Sequence, residues 1–446
     1  MRKVLYLVIG ILLLAVGATL PYFMGFLAQR KCLELSPMLS NLAYADIIIT
    51  DYKRHWFSSD ATFVVKLKHP LLTGENAAKV DANLQSWKVM ARILHGPVVF
   101  LPHTIKLAQA GVVAEVVLTK EQSVLLRAEP TALPIVNIVL GINLDGSSSL
   151  HIKGSAFSYQ SSNLIFSSQG ADVDMYFSAF LNKMRSRVYL TELKFAQTDL
   201  VLQLEGLKVN YVGTKNDLDL WLGQRQVALK SLLMKDNRDA ELILQNLIFN
   251  NQATEEHHAV AMQGELTIDS ASVDRVMYTK NALVWEAHDL DAVALVKLQH
   301  EIRSLSEARK ISIQQGIDVF HNCSLLLQKG MVFTIRQFNI TSPWGALVAA
   351  GQVIVPRAKN QGIMLWPDLR SEIGLRIDQP LAQHLLTEYY QHNSDAAVKP
   401  DEQAKNTINN WLQMGVLLIN GNAYQTKLTY DKEWLINDKP IPAAQK

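Results

Sequence analysis

The 446-residue sequence predicts a mainly β protein: a large curved antiparallel meander with a few covering helices, after an N-terminal transmembrane helix. Three observations carry this. Apolar residues recur with period two over most of the chain, turn formers separate the runs at short spacing, and residues 4–29 carry no charged side chain.

The N-terminal element follows Arg2 and Lys3 and runs from Val4 to Leu20. As a helix that stretch reaches only about 25 Å, but continued to Leu27 it matches the roughly 30 Å of a bilayer core. A signal-anchor helix is therefore expected over 1–28, meeting the inner membrane through residues 4–27. The competing reading is a cleaved signal peptide with Val16 and Ala18 before the cut; the apolar run continues past Ala18, which favours retention. Residues 29–446 would then form a β-rich domain outside the inner membrane, in one piece or in two lobes, 29–300 and 301–446.

Period two is visible in Ala61–Lys68 and in Val260–Asp269, where Val260, Met262, Leu266 and Ile268 alternate with polar residues. Leu200/Leu202/Leu204, Leu207/Val209/Tyr211, Val227/Leu229, Phe333/Ile335 and Leu347/Ala349/Val353 read the same way. Glu205-Gly206, Asn143 to Gly146 and Asn420-Gly421 are the expected turns between them. Helical spacing is rarer. Ile317–Lys329 and Asp401–Met414 each present one apolar face and stop at a glycine, Leu298–Arg309 is ambiguous, and 391–400 reads as a loop. Val348, Ala350 and Ile354 oppose Leu347, Ala349 and Val353, so part of the sheet is expected to be apolar on both faces and to meet lipid, a partner protein or a second copy of the chain, the alternative being that the second face packs on the helices at Ile317–Lys329 and Asp401–Met414.

Composition excludes more than it assigns. A net charge of +2 with 19% charged residues implies no overall field strong enough to gather phosphates or anionic lipid, which also weighs against a nucleic-acid partner. Two cysteines, Cys32 and Cys323, make no disulfide framework, and one bridge between them is left open. Glu255-Glu256-His257-His258, with His288, Asp289 and Asp291, is the nearest approach to a metal cluster, but neighbouring strand residues point to opposite faces, so a solvated turn is preferred. Asp145 to Ser149 reads as a hairpin turn, not a nucleophile. No catalytic, cofactor or metal residue is assigned. An enzyme assembled from distant residues such as His95, His288 and Asp289 is the alternative to a binding protein.

Tyr52-Lys-Arg-His-Trp-Phe-Ser-Ser59 is the densest stretch of basic and aromatic residues, and Trp56 and Phe57 are expected to bury their rings on opposite sides of an opening strand. The stretch resembles the Tyr-x-Arg-Gly-x-Phe-Ser-Ser signature of the YdgA-like family of Gram-negative bacteria. Further pieces follow in order: His95-Gly96-Pro97, Ser342-Pro-Trp344-Gly345, and Tyr430 through Asn437 and Pro440 near the end. His55, Lys432 and Asp438 stand where that family usually has glycine. The signature set is thus Tyr52, Arg54, Trp56, Phe57, Ser58, Ser59, His95, Gly96, Pro97, Trp344, Gly345, Tyr430, Asn437 and Pro440, read as structural. The resemblance implies a membrane-anchored periplasmic protein of unknown activity, without catalytic residues or cofactors.

Overall fold

The structure, a computed structural model, describes residues 19–30, 45–67, 86–102, 104–125, 136–160, 164–197, 199–236, 240–307, 313–328, 330–357, 369–393 and 399–440. The chain is mainly β and its sheet is antiparallel, as the period-two pattern requires. It divides into two compact units, Met1–Thr214 and Lys215–Lys446. That division lies near the end of a strand, whereas position 300/301 lies within a helix. No helix among the described residues is long and apolar enough to cross a membrane. Residues 1–18 of the expected anchor, Cys32 and loop positions 394–398 lie outside the described residues.

Unit 1 contains β1 (Ala45–Arg54), β2 (Ser58–Leu67), β3 (Ser86–His95), β4 (Val98–Leu101), β5 (Thr104–Val117), β6 (Val136–Asn143), β7 (Ser148–Gly154), β8 (Phe157–Gln160), β9 (Leu164–Ser168), β10 (Ala171–Phe177), β11 (Lys183–Gln197) and β12 (Leu200–Lys215). Pairing runs β1-β2-β3-β5-β6-β7-β10-β11-β12. The β8–β9 hairpin continues the β7–β10 pair and joins β11, and β4 doubles back on the start of β5. Register sorts the faces. Ala61, Ala91, Ala114, Ile138, Ile152, Val173, Val188 and Val209 form one cross-strand row; one residue along, Asp60, Arg92, Val113, Val139, His151, Asp174, Arg187 and Asn210 form the next. Side chains alternate along a strand, so the first row is an apolar face and the second a largely polar one. Helix α1 (19–30) lies on the apolar face, where Ala28 packs on the core of Ala61, Val89, Ala91, Ile93 and Ala114. A short helix, α2 (Lys120–Leu125), follows β5.

Gly206 is not a turn: β12 passes through it at φ +66°, so the two leucine-rich runs around it are one strand. Asn143–Gly146 and Asn420–Gly421 do form hairpin turns, joining β6 to β7 and, in unit 2, the strands Leu418–Asn420 and Ala423–Asp431.

Unit 2 is a second meander: β13 (Trp221–Asp236), β14 (Glu241–Glu256), β15 (Ala259–Val273), β16 (Val276–Asp291), β17 (Met331–Ser342), β18 (Gly345–Val355), β19 (Arg370–Asp378) and β21 (Ala423–Asp431) pair in that order. Three short strands, β20 (Leu418–Asn420), β22 (Glu433–Ile436) and β23 (Lys439–Pro440), finish its edge. Val227, Phe249, Leu266, Leu283, Phe338, Ala349 and Leu375 share an apolar row. Gln224, Gln252, Gln263, Glu286, Thr334, Gln352, Glu372 and Thr429 share a polar row on the other face. Val348 does oppose Leu347, and its own row mixes Ala228, Ile248 and Ala282 with Thr267, Asn339 and Arg376, so the second face is apolar only in part. The ladder skips Lys230, Asn246, Asp269 and Lys280 at one level, with Asn246 and Lys280 at φ +52° and +51°; such irregularities bend strands.

Helices cover the ends of the apolar face. Ala292, Leu295 and Val296 of α3 (Ala292–Glu307) and Leu326 of α4 (Ile313–Gln328) join the core of Leu220, Leu222, Val260, Ala287 and Leu290. Leu381 and Ala382 of α5 (Gln379–Asn393) pack with Ile377 against Trp344, Leu347 and Tyr424, and α6 (Pro400–Gln413) follows, burying Ala404 and Ile408. The ambiguous 298–309 segment is thus largely α3, while α5 had no counterpart among the expected helices.

Candidate functional site

The signature stretch is a hairpin turn. β1 ends at Arg54 and β2 begins at Ser58, with the His55 N–H donating to the Ser58 carbonyl at 2.7 Å. The expectation of buried strand rings is corrected here: Trp56 is 49% exposed and Phe57 60%, because the turn interrupts the alternation and carries both rings off the end of the sheet.

The residues flanking that turn form a socket for α1. Arg54 and Ser59 stand opposite each other, in register with Ile93 of the apolar face. Arg54 Nη2 donates to the Tyr22 hydroxyl at 2.9 Å, and its guanidinium lies 4.6 Å from the Tyr22 ring centre and 5.8 Å from that of Phe26. The Trp56 ring sits 5.0 Å from Tyr22, and Tyr52 packs on the adjoining core. Beneath them, Ser59 Oγ and His95 Nε2 are 2.9 Å apart, while His95 Nδ1 lies 3.4 Å from the Trp56 carbonyl oxygen. The imidazole also lies against Gly25 of α1, where a Cβ would come within 2.6 Å of Nδ1. Burial holds the His95 pKa below its ordinary 6.5, with Arg54 and His55 pushing the same way against the Trp56 carbonyl bond. The ring is therefore neutral near pH 7.

A serine bonded to a histidine that a third group orients has the outline of an activated nucleophile. Here Ser59 has no exposed surface and His95 is 3% exposed, so no substrate reaches the hydroxyl. The pair ties helix to sheet. Gly96 completes the corner: its N–H donates to the Gln109 carbonyl at 2.9 Å, and a Cβ there would overlap the Ala108 carbonyl oxygen, so only glycine fits. The Pro97 carbonyl accepts from the Ala108 N–H at 2.9 Å.

Around the socket lies an apolar collar. A cavity of about 450 Å³ is lined by Pro21, Phe57, Leu94, Pro97, Val98 and Phe100 among others. In the β4–β5 ribbon Val98 stands opposite Leu107 and Phe100 opposite Ile105, all on one side. Phe100 and Ile105 are each 67% exposed and Leu107 66%, whereas Val99, on the other side, is fully buried over Gly111.

On the polar face, beside the inner edge of that ribbon, a groove of about 790 Å³ is bounded by Leu101 and Lys106 and floored by β7, β10, β11 and β12, including Ser149, Tyr176, Arg185 and Arg187. His151 Nδ1 contacts Asp174 at 2.8 Å and Asp172 at 3.4 Å. These three could offer ligand atoms within 4.8 Å of one another, but Arg187 and Lys153 stand directly opposite the two aspartates, which makes the cluster a charge ladder. The sequence hid this groove because its strands, contiguous in the sheet, are spread from Val98 to Lys215 along the chain.

The remaining signature residues belong to unit 2 and hold turns. Trp344 stacks on His384 of α5 with ring centres 3.4 Å apart, and Gly345, at φ +128°, starts β18. Tyr430 is buried beside Trp434, and Pro440 lies in β23. Asn437 accepts from the Lys427 N–H at 2.8 Å and donates to the Gly415 and Val416 carbonyls at 2.8 and 3.0 Å. Lys432 and Asp438 adopt φ of +71° and +64°, the left-handed conformation for which glycine is the natural occupant.

The discounted chemistry sorts similarly. His257 and His258 form the β14–β15 turn, and each contacts a neighbouring glutamate. His288 lies 3.5 Å from Glu286, whose pKa is lowered chiefly by the hydrogen bond from Arg336. Asp145 Oδ1 accepts from the Ser147 N–H and hydroxyl at 2.9 and 2.7 Å, as a turn aspartate does. His95 belongs to unit 1, His288 and Asp289 to unit 2.

No curated protein and no solved structure matches this chain. The profile of a bacterial family, described as "Bacterial protein of unknown function (DUF945)", matches residues 1–444, and the chain belongs to that family.

Proposed function

We propose that this protein is a membrane-anchored envelope protein of Gram-negative type that works by binding and not by catalysis, held in the inner membrane through the uncharged segment that leads into α1, with α1 docked on the sheet and the rest of the chain in the periplasm. The observation that carries the reading is the collar. Exposed Tyr22, Phe26, Trp56, Phe57 and Phe100 gather around the helix into which the uncharged residues 4–18 lead, and Ile105 stands opposite Phe100. Apolar surface of this kind on a soluble monomer is uncommon, and tryptophan and tyrosine favour the zone where lipid headgroups meet water. The full burial of Ser59 argues against reading the Ser59–His95 pair as an enzyme's nucleophile and base.

The test is topology and membrane contact together. Reporter fusions after residue 35 should be active only when exported, and the full chain should fractionate with the inner membrane. Fluorescence of the collar tryptophan in nanodiscs should be quenched by lipids carrying a shallow headgroup quencher. A cytoplasmic reporter signal, or a Trp56 contribution untouched by the quencher, overturns the reading.

A further inference from the structure

We propose that the groove on the polar face of unit 1 binds an anionic phospholipid, the phosphate lying on Arg185 and Arg187 and the acyl chains leaving along Leu101 towards the exposed ribbon. This rests on the membrane reading for the source of the ligand, but the site itself is argued from its own residues.

Arg185 and Arg187 are two residues apart on β11 and so share a face, about 7 Å apart along the strand. Neither has an ion-pair partner among the described residues. The nearest candidate, Asp174, stands directly opposite Arg187 but is engaged by His151 at 2.8 Å. Lys106 lines the opposite wall, so three cations border the groove against the one carboxylate of Asp174. Arginine forks match phosphate oxygens, and hydroxyls on the same floor, Ser149 and Tyr176, can complete the oxygen shell. The ligand also needs an apolar part. Val212 is 51% exposed beside Arg185, and the ribbon that carries Lys106 on one side carries Phe100, Ile105 and Leu107 on the other. A volume of about 790 Å³ is of the size that holds a headgroup with the first carbons of its chains.

The test uses the full chain in a neutral, phosphate-free detergent. Dihexanoyl phosphatidic acid, inorganic phosphate and dihexanoylglycerol are titrated as probes by calorimetry. Binding of dihexanoyl phosphatidic acid should be at least about tenfold tighter than that of either partial probe, and R185Q/R187Q should weaken it by about tenfold or more. Both arginines are exposed, so the variant should melt like the wild type, and K153Q, on the same face outside the groove, should bind normally. Equal affinity for inorganic phosphate would reduce the site to an anion site and overturn the proposal. So would unchanged binding in R185Q/R187Q. The titration is independent of where the protein resides, so a failed topology test and a failed titration are distinguishable.

Discussion

At the scale of single residues, the signature was legible as a motif and illegible as a machine. Tyr52 to Ser59 drew notice through its composition, yet no Gly, Pro or Asn marks the turn at His55–Phe57, so the alternation was carried through it and two exposed rings were expected inside. The corrected position changes the expected mutant. Trp56→Ala and Phe57→Ala should each cost less than about 1 kcal/mol in a melt, far below the roughly 3–5 kcal/mol of a buried aromatic, and should instead weaken headgroup-depth quenching in nanodiscs. The buried pair behaves oppositely. Ser59→Ala leaves the His95 ring nitrogen without its partner and should cost about 1–3 kcal/mol. Because the folded-state pKa of His95 lies below 6.5, its neutral form stabilises the fold fully above about pH 6.5; the contribution is lost as pH falls from there through the lower folded value, as the unfolded chain takes up the proton first. His95→Gln should flatten that stretch of the stability–pH curve, and an unchanged curve would clear His95 of the role. Lys432→Gly removes a left-handed lysine and should raise stability by roughly 0.5–1 kcal/mol, read as a higher melting temperature.

At the scale of elements, strands were legible wherever one face is wet, since burial on one side writes period two into the sequence. Phase breaks were not. Gly206 looks like a turn former but lies within a strand, and Asn246 and Lys280 interrupt the ladder without a sequence signal of their own. Helix α5 was overlooked although Pro380 stands near its start; its polar run through Tyr389, Tyr390 and Gln391 dilutes the apolar spacing. Helix α1 was read as the tail of a membrane span, and the structure adds that it packs on the sheet. Truncation separates these roles. Removing residues 1–18 should leave a soluble chain with near-normal stability, whereas removing 1–29 strips α1 from Ala61, Ala91 and Ile93 and should lower the melting temperature of unit 1 by several degrees. Identical melts would show that α1 contributes nothing to the fold.

At the scale of the molecule, mainly β architecture and meander order were readable, but the partition at Thr214/Lys215 was not, because β12 reaches it without the proline- or glycine-rich stretch that usually marks a boundary. Unit 2 holds its own cores and pairs its strands in sequence order, so a fragment of residues 215–446 should give a single cooperative melt; a non-cooperative transition would tie its stability to unit 1. The clamping of α1 by Arg54, and by His95 against its Gly25, carries a last consequence, one of dimensionality. A domain on a slack leash would sweep a hemisphere and meet the bilayer at every angle. Under the proposed anchoring, a unit 1 bolted to the helix that carries it would keep a single height and tilt, so the mouth of the groove would patrol a plane and its encounters with lipid would become a search in two dimensions instead of three.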